Sequence, residues 1–321
     1  MEKTGYLPYF EQLETADKTA LMQTLAERYR LRFQGLQTFS RWGQSCTTGV
    51  FEKDGRELVF VPGGAITIGW EQFHEGLDEE NLAELDYVFG ECEYNGTPED
   101  FIREDMAPVR QVTVPPMLAG RELEEIGWEP VEFQDPRLLA HPDWLEEFEE
   151  HKRSGMRGLN LVGHVRFDYT DGQWRAYLYH DVTYPQLKEL LRKQGFSLPT
   201  ADEWAYLCGG GCRTLFPWGD GLKSDMRILH FESPGDEDKP YDMKEPNFFG
   251  LSIAYDPYMR EVVEADTFTT CGGDGGCNIC GGMGPLLGFL PCSPHRKPEV
   301  QEDDLLDIDF DFCRPIIRVE L

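Results

Sequence analysis

Positive charge is what this sequence has least of. Its 321 residues carry 30 Lys plus Arg against 59 Asp plus Glu, a formal net charge of -29. Nucleic acids and anionic membranes are bound through basic footprints, so both are excluded as partners, which leaves a protein or a small-molecule ligand. The acid excess reads as a solvated surface, with cation binding or a basic partner as the functional alternatives. Long apolar runs are also missing, and no stretch approaches the roughly 18 apolar residues of a membrane span. Residues 1–9 lack the cationic start and apolar centre of a secretory leader, so a soluble, cytoplasmic chain is expected. In that reducing compartment the nine cysteines read as thiols, metal ligands or catalytic groups rather than as a disulfide framework.

What is present is a globular composition. The chain is 40% hydrophobic and 12% aromatic, enough to build one large domain or two ordinary ones. Its most sharply punctuated stretch runs from Phe196 to Asp220. Thr200 is placed as an N-cap whose hydroxyl accepts the Glu203 amide, and Glu203 three residues on completes a capping box. Gly209-Gly210-Gly211 ends the short helix that follows, since glycine adopts the left-handed stop without a Cβ clash. Phe216-Pro217-Trp218-Gly219-Asp220 is then a rigid aromatic turn.

Along the rest of the chain, Leu21, Leu25, Ala26, Tyr29 and Phe33 recur at helical spacing and predict one amphipathic helix over 17–33. Residues 1–50 are therefore read as a helical accessory segment ahead of a main domain over 51–321. Glu57 to Trp70 alternates like two strands around Pro62-Gly63-Gly64, predicting a hairpin with positive-φ glycine in its turn. Most of the acidic run from Glu71 to Asp105 reads as a solvated excursion, and no chemistry is assigned to it. Ala107 to Met117 is a strand with a proline stop. An insertion occupies about 121–180, with a short acidic helix from His141 to Phe148 and a hairpin from Val165 to Tyr179 turning at Asp171-Gly172. Its aromatics, Phe167, Tyr169, Trp174, Tyr177 and Tyr179, are read as core or as a lid. Thr183 and Pro185 open a further helix through Lys193.

Leu198-Pro199-Thr200, Glu203-Trp204, the glycines and Phe216-Pro217-Trp218-Gly219-Asp220 together resemble the hallmark of the formylglycine-generating enzyme, or sulfatase-modifying-factor, family. Pro62-Gly63-Gly64 with Ile68-Gly69 is similar to that family's opening signature, Pro108-Val109 to its next strand, and Pro246-Asn247-Phe248-Phe249-Gly250-Leu251 to a later segment. Tyr184 stands where the family has tryptophan and Ser197 where it has arginine. The resemblance covers roughly Leu58 to Leu321, broken by the insertion. It implies a single α+β domain of the C-type-lectin-like arrangement, with short strands, few helices and much irregular structure. The ergothioneine sulfoxide-synthase branch, which needs an iron-binding histidine set, is set aside because no histidine precedes His74.

The resemblance also implies chemistry. Where the family holds a structural calcium ion through an Asn and a Glu, this chain has Glu261 and Glu264, which could supply oxygen ligands. Gly275-Gly276-Cys277-Asn278-Ile279-Cys280 matches the segment that leads to the family's copper(I)-binding cysteine pair and would place Cys280 on the first of them. The second falls on Pro285, which offers no ligand. Three readings stay open for the run from Cys271 to Cys292. Cys277 and Cys280 could form a displaced copper(I) site as catalytic ligands, with Cys271 or Cys292 beside them. Cys271, Cys277, Cys280 and Cys292 could hold a structural zinc. The run could equally be a glycine loop with idle thiols. By the same resemblance Cys208 and Cys313 are expected as near neighbours, and Cys313 to Leu321 as the last strand. His295 is read as a surface residue. The functional expectation is a binding or accessory module, with a copper-dependent oxidase converting a client cysteine to formylglycine as the alternative.

Overall fold

Two consecutive turns, Trp42-Gly43 and Asp54-Gly55, have φ of 50° and 75° and of 53° and 82°. Two left-handed residues in a row match the twist of antiparallel strands, so each turn closes a hairpin. The computed structural model describes residues 4–231, 240–253 and 256–321, and the middle of the polar 224–244 segment lies outside them. Helix α1 (Thr15–Tyr29) stops at Arg30, whose φ of 56° and amide bond to the Ala26 carbonyl close the last turn. Phe33, read as part of that helix, lies instead in β1 (Arg32–Arg41), where it pairs with Phe51 of β2 (Gln44–Lys53). β3 (Arg56–Val61) follows across the second turn.

The accessory reading of residues 1–50 is thereby corrected. Residues 32–53 are strands of the main five-stranded sheet, and a boundary at 50 falls inside β2. A second correction concerns Glu57 to Trp70. β3 and β4 (Gly64–Ile68) do not pair with each other; β4 pairs with β5 (Arg110–Val114) in a separate two-stranded sheet. The reason is close approach rather than turn geometry. A Cβ on Gly63 would meet the Pro116 nitrogen and the Val114 carbonyl oxygen at 2.6 Å, so the chain crosses the end of β5 there instead of turning back. Between β4 and β5 the acidic run is not wholly solvated: it forms α2 (Glu79–Glu91) and α3 (Pro98–Arg103), capped by Asp78 and Thr97. Leu85, Val88 and Phe89 are buried at the spacing that gives α2 one apolar stripe, and Ile102 of α3 is buried too.

β6 (Met117–Gly120) completes the main sheet between β3 and the last strand. After β7 (Glu124–Glu125) the insertion builds β8 (Trp128–Val131), α4 (Pro136–Leu139), α5 (Pro142–Arg153), β9 (Gly158–Leu161), β10 (Val165–Thr170) and β11 (Gln173–Tyr179). Its four-stranded sheet, ordered β8-β11-β10-β9, has a core of its own around Phe148, Phe167, Val165 and Leu138. Thr170 pairs with Gln173 across the Asp171-Gly172 turn. Phe167 is buried and stacked on Phe148 at 4.4 Å, while Tyr169 stays exposed.

α6 (Tyr184–Gln194) and α7 (Ala201–Gly209) both open on capping boxes, Thr183 with Gln186 and Thr200 with Glu203. Nearly every residue of α7 is buried. β12 (Arg260–Val263), β13 (Thr269–Cys271), α8 (Cys277–Cys280), α9 (Gly284–Gly288), β14 (Glu299–Val300), β15 (Asp311–Cys313) and β16 (Ile316–Arg318) follow. The expected single last strand is split. β15 joins the sheet β14-β13-β12-β15-β7, β16 joins the main sheet, and Pro315, which has no N–H to donate, sits at the break. The architecture is α+β, mixed helices and several small sheets. Among the described residues no helix is long and apolar enough to cross a membrane.

Candidate functional site

The cysteine run leaves β13 through glycines that the packing demands. A Cβ on Gly273 would lie 2.4 Å from the Met259 carbonyl oxygen, and one on Gly276, whose φ is 79°, would lie 2.2 Å from the Tyr258 ring. Asp274, 7% exposed, shapes the turn: its carboxylate accepts the amides of Gly276 at 2.8 Å and Asn278 at 3.1 Å. Asn278 in turn donates its side-chain amide to the Leu287 carbonyl at 2.8 Å, stapling α8 to α9. Glu84, reaching across from α2, accepts the Leu286 amide at 2.6 Å. The single turn of α8 is thus held by Asp274 and by α9, which Glu84 fixes in turn.

That turn presents Cys277 and Cys280 to solvent. Cys280 Sγ lies 3.1 Å from the Tyr258 hydroxyl, and this contact raises the phenol above its ordinary value. Asp256 fixes Tyr258 from behind, accepting its backbone amide at 3.0 Å and facing His230 Nε2 at 3.0 Å. The His230 ring packs 4.7 Å from the phenol. Neither Tyr258 nor Asp256 was signalled by the cysteine motif; Asp256-Pro257-Tyr258 is a turn 22 residues upstream of Cys280, and only the close approach at Gly276 brings the two together.

Cys271 and Cys292 are elsewhere. Cys271 ends β13 opposite Glu261, and Cys292 lies in the core, both thiols pushed up by burial. Of the four cysteines read as a metal set, two are on the surface and two are inside. Among the described residues no three His, Cys, Asp or Glu side chains gather in a way that could hold a metal ion. Cys208 and Cys313 are both buried free thiols, and Cys208 Sγ lies 3.8 Å from the Cys292 carbonyl oxygen.

Both glutamates considered for calcium have cationic partners. Glu261 is 2% exposed and its two oxygens each lie 3.1 Å from the Arg314 guanidinium. Glu264, at the end of β12, lies 3.3 Å from Lys188 Nζ. The Glu264–Lys188 pair lines an open cleft of about 440 Å³ with Tyr184, Arg192, Ser197 and Asp266, and no cysteine reaches it.

His295 is not the surface residue its isolation suggested. It is 2% exposed, its Nε2 donates to the Thr214 carbonyl at 3.0 Å, and its Nδ1 is buried without a partner among the described residues. Burial holds its pKa down at about 4, so the ring is neutral. Segments distant in sequence, around Ala107 and Cys212 to Thr214, close over it, which a lone histidine in sequence does not announce. A scan against protein-family models and a search of curated proteins give no match to the chain.

Proposed function

We propose that this α+β framework is the C-type-lectin-like arrangement of the formylglycine-generating enzyme family, and that the chain is a divergent member acting as a cytoplasmic binding or accessory module. Contacts between the family-like segments support the fold reading. The Tyr206 hydroxyl of α7 donates to the Pro62 carbonyl at 2.8 Å, joining the Leu-Pro-Thr helix to the Pro-Gly-Gly segment. Asn247, from the Pro-Asn-x-Phe-Gly-Leu-like segment, donates to the Leu207 carbonyl of the same helix at 2.8 Å. Motifs scattered over nearly two hundred residues of sequence converge on one helix.

One observation carries the functional reading. Pro285, in the place of the family's second thiolate, opens α9 as its first-turn residue, and neither Cys271 nor Cys292 comes to the surface to replace it. A proline ring has no lone pair to offer a metal, so the bis-thiolate copper centre does not fit these residues in its usual place. The module would meet its protein or small-molecule partner through the cysteine turn and the inserted four-stranded unit. Calcium at Glu261 and Glu264 would have to displace Arg314 and Lys188.

The oxidase reading keeps one point in its favour: Cys277 and Cys280 share an exposed turn, and two soft thiolates at that spacing suit copper(I). Anaerobic copper(I) titration against a competing chelator separates the two. No tight binding that depends on Cys280 is expected. One-to-one binding lost in Cys280→Ser, together with oxygen-dependent conversion of a cysteine peptide to an aldehyde, overturns the module reading.

A further inference from the structure

Three cysteines are exposed: Cys92, Cys277 and Cys280. Among the described residues Cys280 is the one of these with a side-chain hydrogen-bond partner, the Tyr258 phenol at 3.1 Å. A thiolate only accepts, so toward a Cys280 thiolate the phenol at this distance is the donor, with its proton aimed at the reacting sulfur. The phenol is not a chance neighbour. Asp256 holds its backbone, His230 packs on its ring, and the glycine at 276 lets the loop close against it.

Cys277 sits one helical turn before Cys280. Helix geometry puts α-carbons three residues apart at roughly 5 Å, inside the range of about 4.4 to 6.8 Å that a disulfide spans. The remaining cysteines of the run are buried and cannot compete.

We propose that Cys280 is a hydroperoxide-reactive thiol, with Tyr258 positioned to protonate the departing oxygen and Cys277 placed to capture the oxidised sulfur as a disulfide. In the first step the Cys280 thiolate attacks one oxygen of the peroxide. The S–O bond forms, the O–O bond breaks, the leaving hydroxide takes the Tyr258 proton to depart as water, and the tyrosinate recovers from solvent the proton that Cys280 released on ionising. In the second step the Cys277 thiol attacks the sulfenic sulfur of Cys280, and the hydroxyl leaves with the thiol proton as a second water. Two thiols are oxidised by two electrons, the peroxide is reduced by two, and an external dithiol returns the pair to its starting state. Tyr258 and Cys277 are thus assigned to Cys280 by the geometry of two segments that the sequence keeps apart.

Cys92, exposed at the end of α2, is the internal reference for this site. Reduced full-length protein, stripped of metal and kept with chelator, is treated with about one equivalent of hydrogen peroxide and followed by peptide mass spectrometry. A Cys277–Cys280 disulfide is expected to form about tenfold faster than Cys92 oxidises, the scale of one hydrogen bond aimed at the reacting atom. In Cys277→Ser a dimedone-trapped sulfenic acid should accumulate on Cys280. Tyr258→Phe and Asp256→Ala should each slow oxidation of Cys280 without changing Cys92, whose constant rate reports an intact fold. Equal rates at Cys280 and Cys92 in the wild-type protein, or an unchanged Cys280 rate in Tyr258→Phe, overturn the proposal.

Discussion

Replacing Arg314 by methionine tests the bond network beneath the candidate site. Arg314 is fully buried and its five N–H groups are all engaged: Nε and one Nη2 hydrogen on Glu261, the other Nη2 hydrogen on the Ser252 carbonyl, and Nη1 on the Gly120 and Arg121 carbonyls. Arg314→Met strands the Glu261 carboxylate, 2% exposed, and takes a donor from the Gly120 and Ser252 carbonyls, while the Arg121 carbonyl keeps the Ser252 amide at 2.8 Å. Removing one partner of a buried pair costs about 3 to 5 kcal/mol, because the surviving charge keeps its desolvation penalty. For 321 residues this is roughly 4 to 7 °C of melting temperature. Glu261→Leu alone should cost about as much, whereas the double replacement should lose only about 1 to 3 kcal/mol, for the carbonyls that stay unpaired. Urea unfolding of the four proteins gives the cycle, with non-additivity of at least about 3 kcal/mol expected. A single replacement costing under about 1 kcal/mol, or an additive cycle, refutes the view that this pair ties β6, β12 and the end of β15 together.

Further expectations follow from other buried groups. His295 is held down at about 4 against 6.5 unfolded, so its contribution is complete above pH 6.5 and is lost as pH falls towards 4. The loss is up to about 3 kcal/mol, and unfolding free energy measured over that window should fall less steeply in His295→Gln. Thr200→Ala removes the hydroxyl that accepts the Glu203 amide, and should cost about 1 kcal/mol by thermal or urea unfolding, with Thr200→Ser restoring most of it. Phe148→Ala empties the insertion core at a cost of about 3 to 5 kcal/mol. Hydrogen exchange should then rise in β8 to β11 while α7 stays protected, since the two cores are separate clusters.

Local chemistry was legible in the sequence and long-range placement was not. The Thr200–Glu203 box, the helix opening at Thr183 and Pro185 and the Asp171-Gly172 turn form as expected because every atom involved lies within a few residues. The α+β class came instead from the family resemblance of the Leu198 to Asp220 stretch and the segments around it. Pro62-Gly63-Gly64 misled because a glycine needed for close approach to Val114 and Pro116 looks the same in sequence as a glycine needed for a turn. Trp42-Gly43 hid a hairpin because tryptophan is an unusual residue at positive φ. The cysteine run gave its members no labels: β13 and the core take Cys271 and Cys292, and α8 presents Cys277 and Cys280, only after strands from three parts of the chain have assembled. Tyr258 owes its place beside Cys280 to the same assembly.

Differential alkylation of the native protein tests the division of the cysteines most directly. With a brief pulse of iodoacetamide under reducing conditions, followed by denaturation and a second isotopic label, Cys92, Cys277 and Cys280 should carry the first label. Cys46, Cys208, Cys271, Cys292 and Cys313 should carry the second, as buried thiols raised by desolvation. Rapid native labelling of Cys271 or Cys292, or protection of all four cysteines of the run together with stoichiometric zinc, would contradict the account.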